Sequence, residues 1–366
     1  MTDGGKAEGR RGHLPILDGL RAIAVLFVLW QHVPQNVPAY PEWLRYAELI
    51  GPGGLGVHIF FVLSGFLITR ILLVERERGL PLRRFMLRRL LRIFPIYYLL
   101  LLILWVTGSQ GEGLFYCALY VSNFWFIFGT NTASAGDMQH TWSLCIEEHF
   151  YLLWPLVVAF MSRVAARRTL VFVVLPLSIA SAPLGWLWTS DAQQFDQWTM
   201  YSSTVQFLPL GLGCLLAFGE RELVERPQRY VVLGGALIFA GALCSSVVYA
   251  LLPFLWFQVP PLVDEAYWPL LTVAYTSLIP LGVVMAAIAA QKSSLLAWLK
   301  FAPLRGVGRI SYGLYLYHLP IFHGLIDRTA PTGEQVVWAV VISFAAATVS
   351  YFVIERPLLR YGARFR

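Results

Sequence analysis

Ten stretches of this chain are apolar enough, and close enough to the needed length, to read as helices crossing a membrane. They run at about 16–34, 54–74, 90–107, 141–161, 169–189, 204–219, 230–252, 268–290, 310–326 and 335–354. A helix needs roughly 17–25 predominantly apolar residues to cross a hydrocarbon core of about 30 Å. Hydrophobic residues make up 57% of the 366 and charged residues 13%, which excludes an ordinary soluble domain. The expected fold is therefore an all-α, polytopic transmembrane bundle of about ten spans. The run "LFYCALYVSNFWFIFG" (114–129) is short for a crossing and would reverse the later loops if counted as one. It reads as a short re-entrant or interfacial segment.

The net charge of +7 does not point to nucleic acid, because the basic residues sit in short blocks between apolar runs. The N-terminal tail carries Lys6, Arg10 and Arg11, and "TRILLVERERGLPLRRFMLRRLLRIFP" carries eight arginines. By the positive-inside bias both are cytoplasmic, as are 162–169, 220–229, 291–309 and the C-terminal "ERPLLRYGARFR". The first apolar run lacks a small-x-small cleavage site and reads as an uncleaved first helix. Residues 1–366 form one transmembrane domain, with cytoplasmic tails at 1–13 and 355–366. Cys117, Cys145, Cys214 and Cys244 form no paired spacing and read as small buried hydrophobes. No metal-ligand spacing stands out, and no bound cofactor is expected.

Against that apolar background, a few polar residues stand where lipid would reject them. In "LDGLRAIAVLFVLWQH", eleven residues separate Arg21 from His32. On a helix that is about 16.5 Å of rise and a return to within about 20° of the same face. Arg21 could simply snorkel to headgroups beside Asp18, with His32 marking the outer helix end. The company they keep argues otherwise. "HTWSLCIEEHFYLLWP" puts Glu147, Glu148 and His149 inside a span, with Ser143, Glu147 and Tyr151 at i, i+4 and i+8 on one face. Intramembrane carboxylates pair with something or line a cavity. In "GGLGVHIFFVLSGFLITR", Ser64 suits close helix packing, and His58 fits either an interfacial histidine or a site wall. Arg21, Arg88, Arg89 and Arg92 gather toward the cytoplasmic end, and His32, His58 and Glu147 toward the outer half. That division suits an anion held inside and base chemistry deeper in the membrane. Buried His and Glu across ten spans also suit a proton-coupled transporter or flippase of a glycan or metabolite, although no paired broken helices mark two halves.

Five stretches in order resemble acyltransferase family 3, the integral-membrane acyltransferases of bacterial polysaccharides, nodulation factors and some macrolides. They are "LDGLRAIAVLFVLWQH" with its Arg-x10-His, "GVHIFFVLSGFLI", "RRFMLRRLLRIFPIYY" with Arg-x-x-Arg at Arg89 and Arg92, "TWSLCIEEHFYLLWP", and "ISYGLYLYHLPI". The resemblance implies a bacterial cytoplasmic-membrane O-acyltransferase that moves an acetyl or other short acyl group from cytosolic acyl-CoA to a sugar hydroxyl. The acceptor would sit on a cell-surface glycan or a glycosylated metabolite such as a macrolide. It implies Arg21, His32 and Glu147 as the catalytic set, and Arg88, Arg89 and Arg92 as the acyl-CoA-binding set. Ser64, Ser143, Glu148, Tyr151, His58 and His318 are expected along the site wall. His58 stands where an acidic residue is more usual in the family, so its role is open. The extracytoplasmic hydrolase-like domain of larger members is not seen after the last span, so a minimal single-domain version is expected. In the expected chemistry His32 takes the acceptor's proton while Glu147 orients its ring; an acyl-histidine intermediate is the alternative.

Overall fold

A computed structural model describes residues 13–33, 52–108, 113–129, 132–246, 267–327 and 332–365. The tail 1–12, the connector after the first helix, and the end of the expected span at 230–252 lie outside the described residues. The described chain is a bundle of helices with no strand. In chain order the long helices are α1 (Pro15–His32), α2 (Pro52–Glu77), α3 (Leu82–Val106), α4 (Trp142–Phe160) and α5 (Arg163–Leu187). They continue with α6 (Ser203–Phe218), α7 (Pro227–Ser246), α8 (Tyr267–Ala289), α9 (Ala302–Leu325) and α10 (Gly333–Ser350). The last runs on through one π turn to Gly362.

Eight helices among the described residues are long and apolar enough to cross a membrane, rather than the ten expected. The two that fall outside that set are α1 and α9. Each is interrupted by polar side chains, Asp18, Arg21, Gln31 and His32 on one and Arg305, Arg309, Ser311, His318 and His323 on the other. These two helices pack on each other, and α1 also packs on α2. Their contact buries His318 inside the bundle, whereas Arg309 stays exposed.

Residues 114–129 fold as two short helices, Gly113–Ala118 and Ser122–Phe128, neither long enough to cross. Tyr120 breaks them apart with a φ of 56°, a left-handed backbone that a bulky residue adopts only under constraint. Its ring supplies that constraint by stacking on Tyr97 at 4.5 Å.

The centre of the bundle is the crossing of α2 and α6. Gly65 lies against the Leu210 carbonyl and Gly213 against the Val62 carbonyl, so a Cβ at either would collide with backbone. Small residues allow this approach in helical membrane proteins, where packing rather than water exclusion holds helices together. Around the crossing, Trp154 on α4 donates to the Thr69 hydroxyl at 2.8 Å, and Arg70 meets Glu220 at 2.8 Å. The Arg76 guanidinium donates to the Val158 and Met161 carbonyls, covering backbone acceptors that α4 leaves open at its C-terminus. Helix α3 starts at Leu82, earlier than the sequence expectation, so Arg83 to Arg92 stand on its first turns rather than in a loop. Arginine is a good helix former, and its long stem lets the charge reach away from the axis. The cysteines are free, with Cys117, Cys145 and Cys214 buried and Cys244 half-buried.

Candidate active site

Five helices and a C-terminal segment line a cavity of about 400 Å³ beside the α2–α6 crossing. Helix α1 contributes Arg21, α2 contributes Ser64 among apolar neighbours, and α3 contributes Arg88, Arg89 and Arg92. Helix α4 contributes Ser143, Glu147, Glu148 and Tyr151, and α9 contributes Ser311, Tyr312 and Tyr315. Leu359, Gly362 and Ala363, past the π turn that follows α10, close one side. Arg21, Ser64, Arg88, Arg89, Arg92, Ser143, Glu147, Glu148 and Tyr151 were all expected in the site from sequence, and they meet here.

The charges in this cavity are partly compensated. Arg89 pairs with Glu148 at 3.0 Å, and Arg88 pairs with Glu75. The Arg89 guanidinium also lies over the Tyr151 ring, whose hydroxyl bonds to Ser64. Glu147 shares the cavity lining with Ser64 and is attracted by the charges of Arg89, Arg21 and Arg92. Arg21 and Arg92 make no ion pair among the described residues. The Nε atoms of Arg21 and Arg89 are buried without a hydrogen-bond partner. A buried donor left unmade costs about 1–3 kcal/mol, more when charged, so the cavity is preset to receive acceptor oxygens.

The three histidines of the expected site lie outside this cavity's lining. His58 is buried and used up by structure, with Nδ1 on the Gly54 carbonyl at 2.7 Å and Nε2 on Gln206 at 2.9 Å. His32 and His318 sit behind the wall formed by Ser143 and Tyr315. Tyr315 faces the cavity and donates its hydroxyl to the His140 carbonyl at 2.7 Å, while its own carbonyl receives His318 Nδ1 at 2.7 Å. His32 bonds through Nδ1 to the Val28 carbonyl at 2.8 Å and touches His318 at 3.3 Å. The expectation that Glu147 orients the His32 ring does not hold in this geometry. Glu147 lines the cavity with the arginines, and among the described residues His318 stands beside the His32 ring. His149, adjacent in sequence to the carboxylates, turns away to bond Ser203 at 2.7 Å.

Sequence reasoning missed Ser311, Tyr312, Tyr315 and His140. The spacing Ser311, Tyr315, His318 is i, i+4, i+7 and would have marked one face of α9. His140 stands in a 3₁₀ lead-in to α4, where no helical period applies.

Comparison with known proteins adds an independent line. A family described as "Acyltransferase domain" matches residues 14–356. Peptidoglycan O-acetyltransferase OatA of Listeria monocytogenes is 31% identical, over 96% of this chain and 57% of that protein. Putative peptidoglycan O-acetyltransferase YrhL of Bacillus subtilis is 31% identical, over 96% of this chain and 56% of that protein. O-acetyltransferase OatA of Staphylococcus aureus is 30% identical, over 96% and 58%. The chain thus spans less than two thirds of the length of these relatives. No solved structure matches.

Proposed function

This chain belongs to the acyltransferase family whose match covers residues 14–356, and from that premise we propose that it is a membrane O-acetyltransferase acting on a cell-surface glycan. The named relatives favour a peptidoglycan-type acceptor over a macrolide. The donor in this reading is cytosolic acetyl-CoA. The observation that carries it is the cavity in which Arg21, Arg88, Arg89 and Arg92 converge while the Nε atoms of Arg21 and Arg89 lack partners. Guanidinium groups hold phosphate oxygens by charge-assisted, often bidentate bonds, and the nucleotide end of CoA is rich in them.

The apolar walls, Phe60, Leu63, Leu67 and Ile68 among them, suit the pantetheine arm and acyl end better than they suit a sugar. Along α1 the rise from Arg21 to His32 is about 16.5 Å, a span that arm can cover. His32 is the base in this reading. A backbone carbonyl only accepts, so the bond to Val28 fixes the proton on Nδ1 and leaves Nε2 as the basic nitrogen. The acceptor hydroxyl gives its proton to Nε2 as its oxygen bonds to the thioester carbon. The carbon–sulfur bond then breaks, and the departing thiolate takes the proton back. Glu147 balances the arginines when the donor has left. The arginine end of the cavity faces the cytoplasm, and the membrane is the bacterial cytoplasmic one, in keeping with the basic loops.

The test is competition binding on purified protein, acetyl-CoA against acetyl-pantetheine, followed by transfer of labelled acetyl to a muropeptide. Tighter binding of the nucleotide form, and label on the glycan, are expected. Equal affinity for the two thioesters would remove the arginines from donor recognition.

A further inference from the structure

Behind the Tyr315 wall three imidazoles from three elements meet. The rings of His32 and His318 stand edge-on, with centroids 4.9 Å apart and planes at 60°, and His318 lies 5.1 Å from His140. His318 is fully buried. Backbone carbonyls decide which nitrogen of each ring carries the proton. His318 donates through Nδ1 to Tyr315, so its Nε2 holds a lone pair. That lone pair is 3.3 Å from His32 Nδ1, which already donates to Val28. The His32 N–H is therefore shared between a carbonyl and a second imidazole. His140 takes no part in fixing this pair, since it spends its Nε2 on the Leu316 carbonyl at 3.2 Å. The carboxylate of this cluster, Asp137, is held by His323 at 2.8 Å.

We infer that His318 is the positioning residue for His32: its Nε2 accepts the His32 Nδ1 proton, holding the ring so that the opposite nitrogen meets the acceptor. This rests on the reading of His32 as the base. A carboxylate would do the same work more strongly, but would add a buried charge beside rings that are held by the backbone carbonyls of Val28, Leu316 and Tyr315. A neutral imidazole offers an acceptor without that cost. When His32 takes up the acceptor proton, its Nδ1–H becomes a charged donor, and the bond to His318 strengthens in the transition state. The contribution therefore falls on kcat rather than on donor binding. His318 keeps its own Nδ1 proton, donated to the Tyr315 carbonyl, throughout, so no relay through His318 is required.

The experiment uses the full chain in nanodiscs, with acetyl-CoA and a glycan acceptor, and compares His318→Phe, His318→Leu and His318→Gln. The Phe and Leu variants keep an apolar filling but lose the acceptor. Both are expected to lower kcat by about 10–100-fold, by analogy with the loss of the partner that orients a metal-ligating histidine. The KM for acetyl-CoA is expected to stay at its original value. Gln offers a carbonyl oxygen near the position of Nε2 and is expected to restore most of kcat. If Phe fails to fold, Leu and Gln decide between themselves. Full kcat in a folded Phe or Leu variant overturns the inference, and so does a Gln variant as slow as they are, which would reduce His318 to packing. His32→Ala run in parallel keeps the two readings apart. Normal transfer there defeats His32 as base, whereas a dead His32→Ala beside a fully active His318→Leu defeats only the role of His318.

Discussion

The arginine cavity and the histidine cluster lie on opposite sides of Tyr315, yet they solve the problem of polarity inside a bundle in opposite ways. In the cavity the groups carry charge and are matched side chain to side chain, Arg89 with Glu148 and Arg88 with Glu75. In the cluster three rings, His32, His140 and His318, are matched to backbone carbonyls of Val28, Leu316 and Tyr315. Full charges buried away from water demand opposite charges, and some here are left for a ligand to complete. Neutral imidazoles ask only for an acceptor, which a helix can lend from its own backbone. The first arrangement suits binding of an anion that comes and goes. The second suits a group whose proton must move while its ring does not.

Four substitutions would break or sharpen that contrast. The largest effect is expected at His32, where His32→Ala should lower transfer by about 10²–10⁴-fold while acetyl-CoA still binds. Isothermal titration beside the transfer assay checks both halves; lost binding would join the two regions into one functional unit. Next comes Arg89→Ala, which leaves Glu148 buried without its partner and bares a cavity floor shared with Tyr151. Stability should fall by about 3–5 kcal/mol, the scale for orphaning one half of a buried pair, and donor affinity should fall with it. Thermal unfolding in detergent reads the first and titration the second.

His58→Leu is expected to cost about 1–3 kcal/mol of stability by freeing Gln206, with kcat unchanged in the folded protein, because both ring nitrogens are held by structure. A drop in kcat at full stability would move His58 into the site. The smallest effect belongs to Arg92, which is exposed and unpaired among the described residues. Arg92→Ala should weaken acetyl-CoA binding by about 0.2–1 kcal/mol in low salt and by less at about 1 M, where charges are screened beyond about 3 Å. An equal loss at both salts would place Arg92 in the buried contact shell with Arg89.

Much of the cavity could be read before any fold was known. Arg21, Glu147, Arg89 and Arg92 are visible because lipid-facing stretches reject charge, so each such residue announces an interior or a ligand. His58 was visible for the same reason and turned out to brace α2 against α6, since a polar residue in a span signals a partner without saying which kind. The pairing of Glu147 could not be read. Residues 32 and 147 looked close in depth, but depth along a helix says nothing about which side of Tyr315 a side chain occupies. Tyr315 itself drew no notice, because tyrosine is ordinary in a span.

What the sequence determined alone is the helical, membrane-spanning class and the kinds of chemistry available, because hydrophobic length and buried charge are local properties of the chain. What only the tertiary structure decided is who meets whom. It set Glu147 among the arginines, His318 beside His32, and Gly65 against the Leu210 carbonyl. The physical reason is that a hydrogen bond or ion pair acts over about 3 Å, whereas the partners stand scores to hundreds of residues apart, and only the packing of α1, α2, α3, α4, α6 and α9 brings them within that reach.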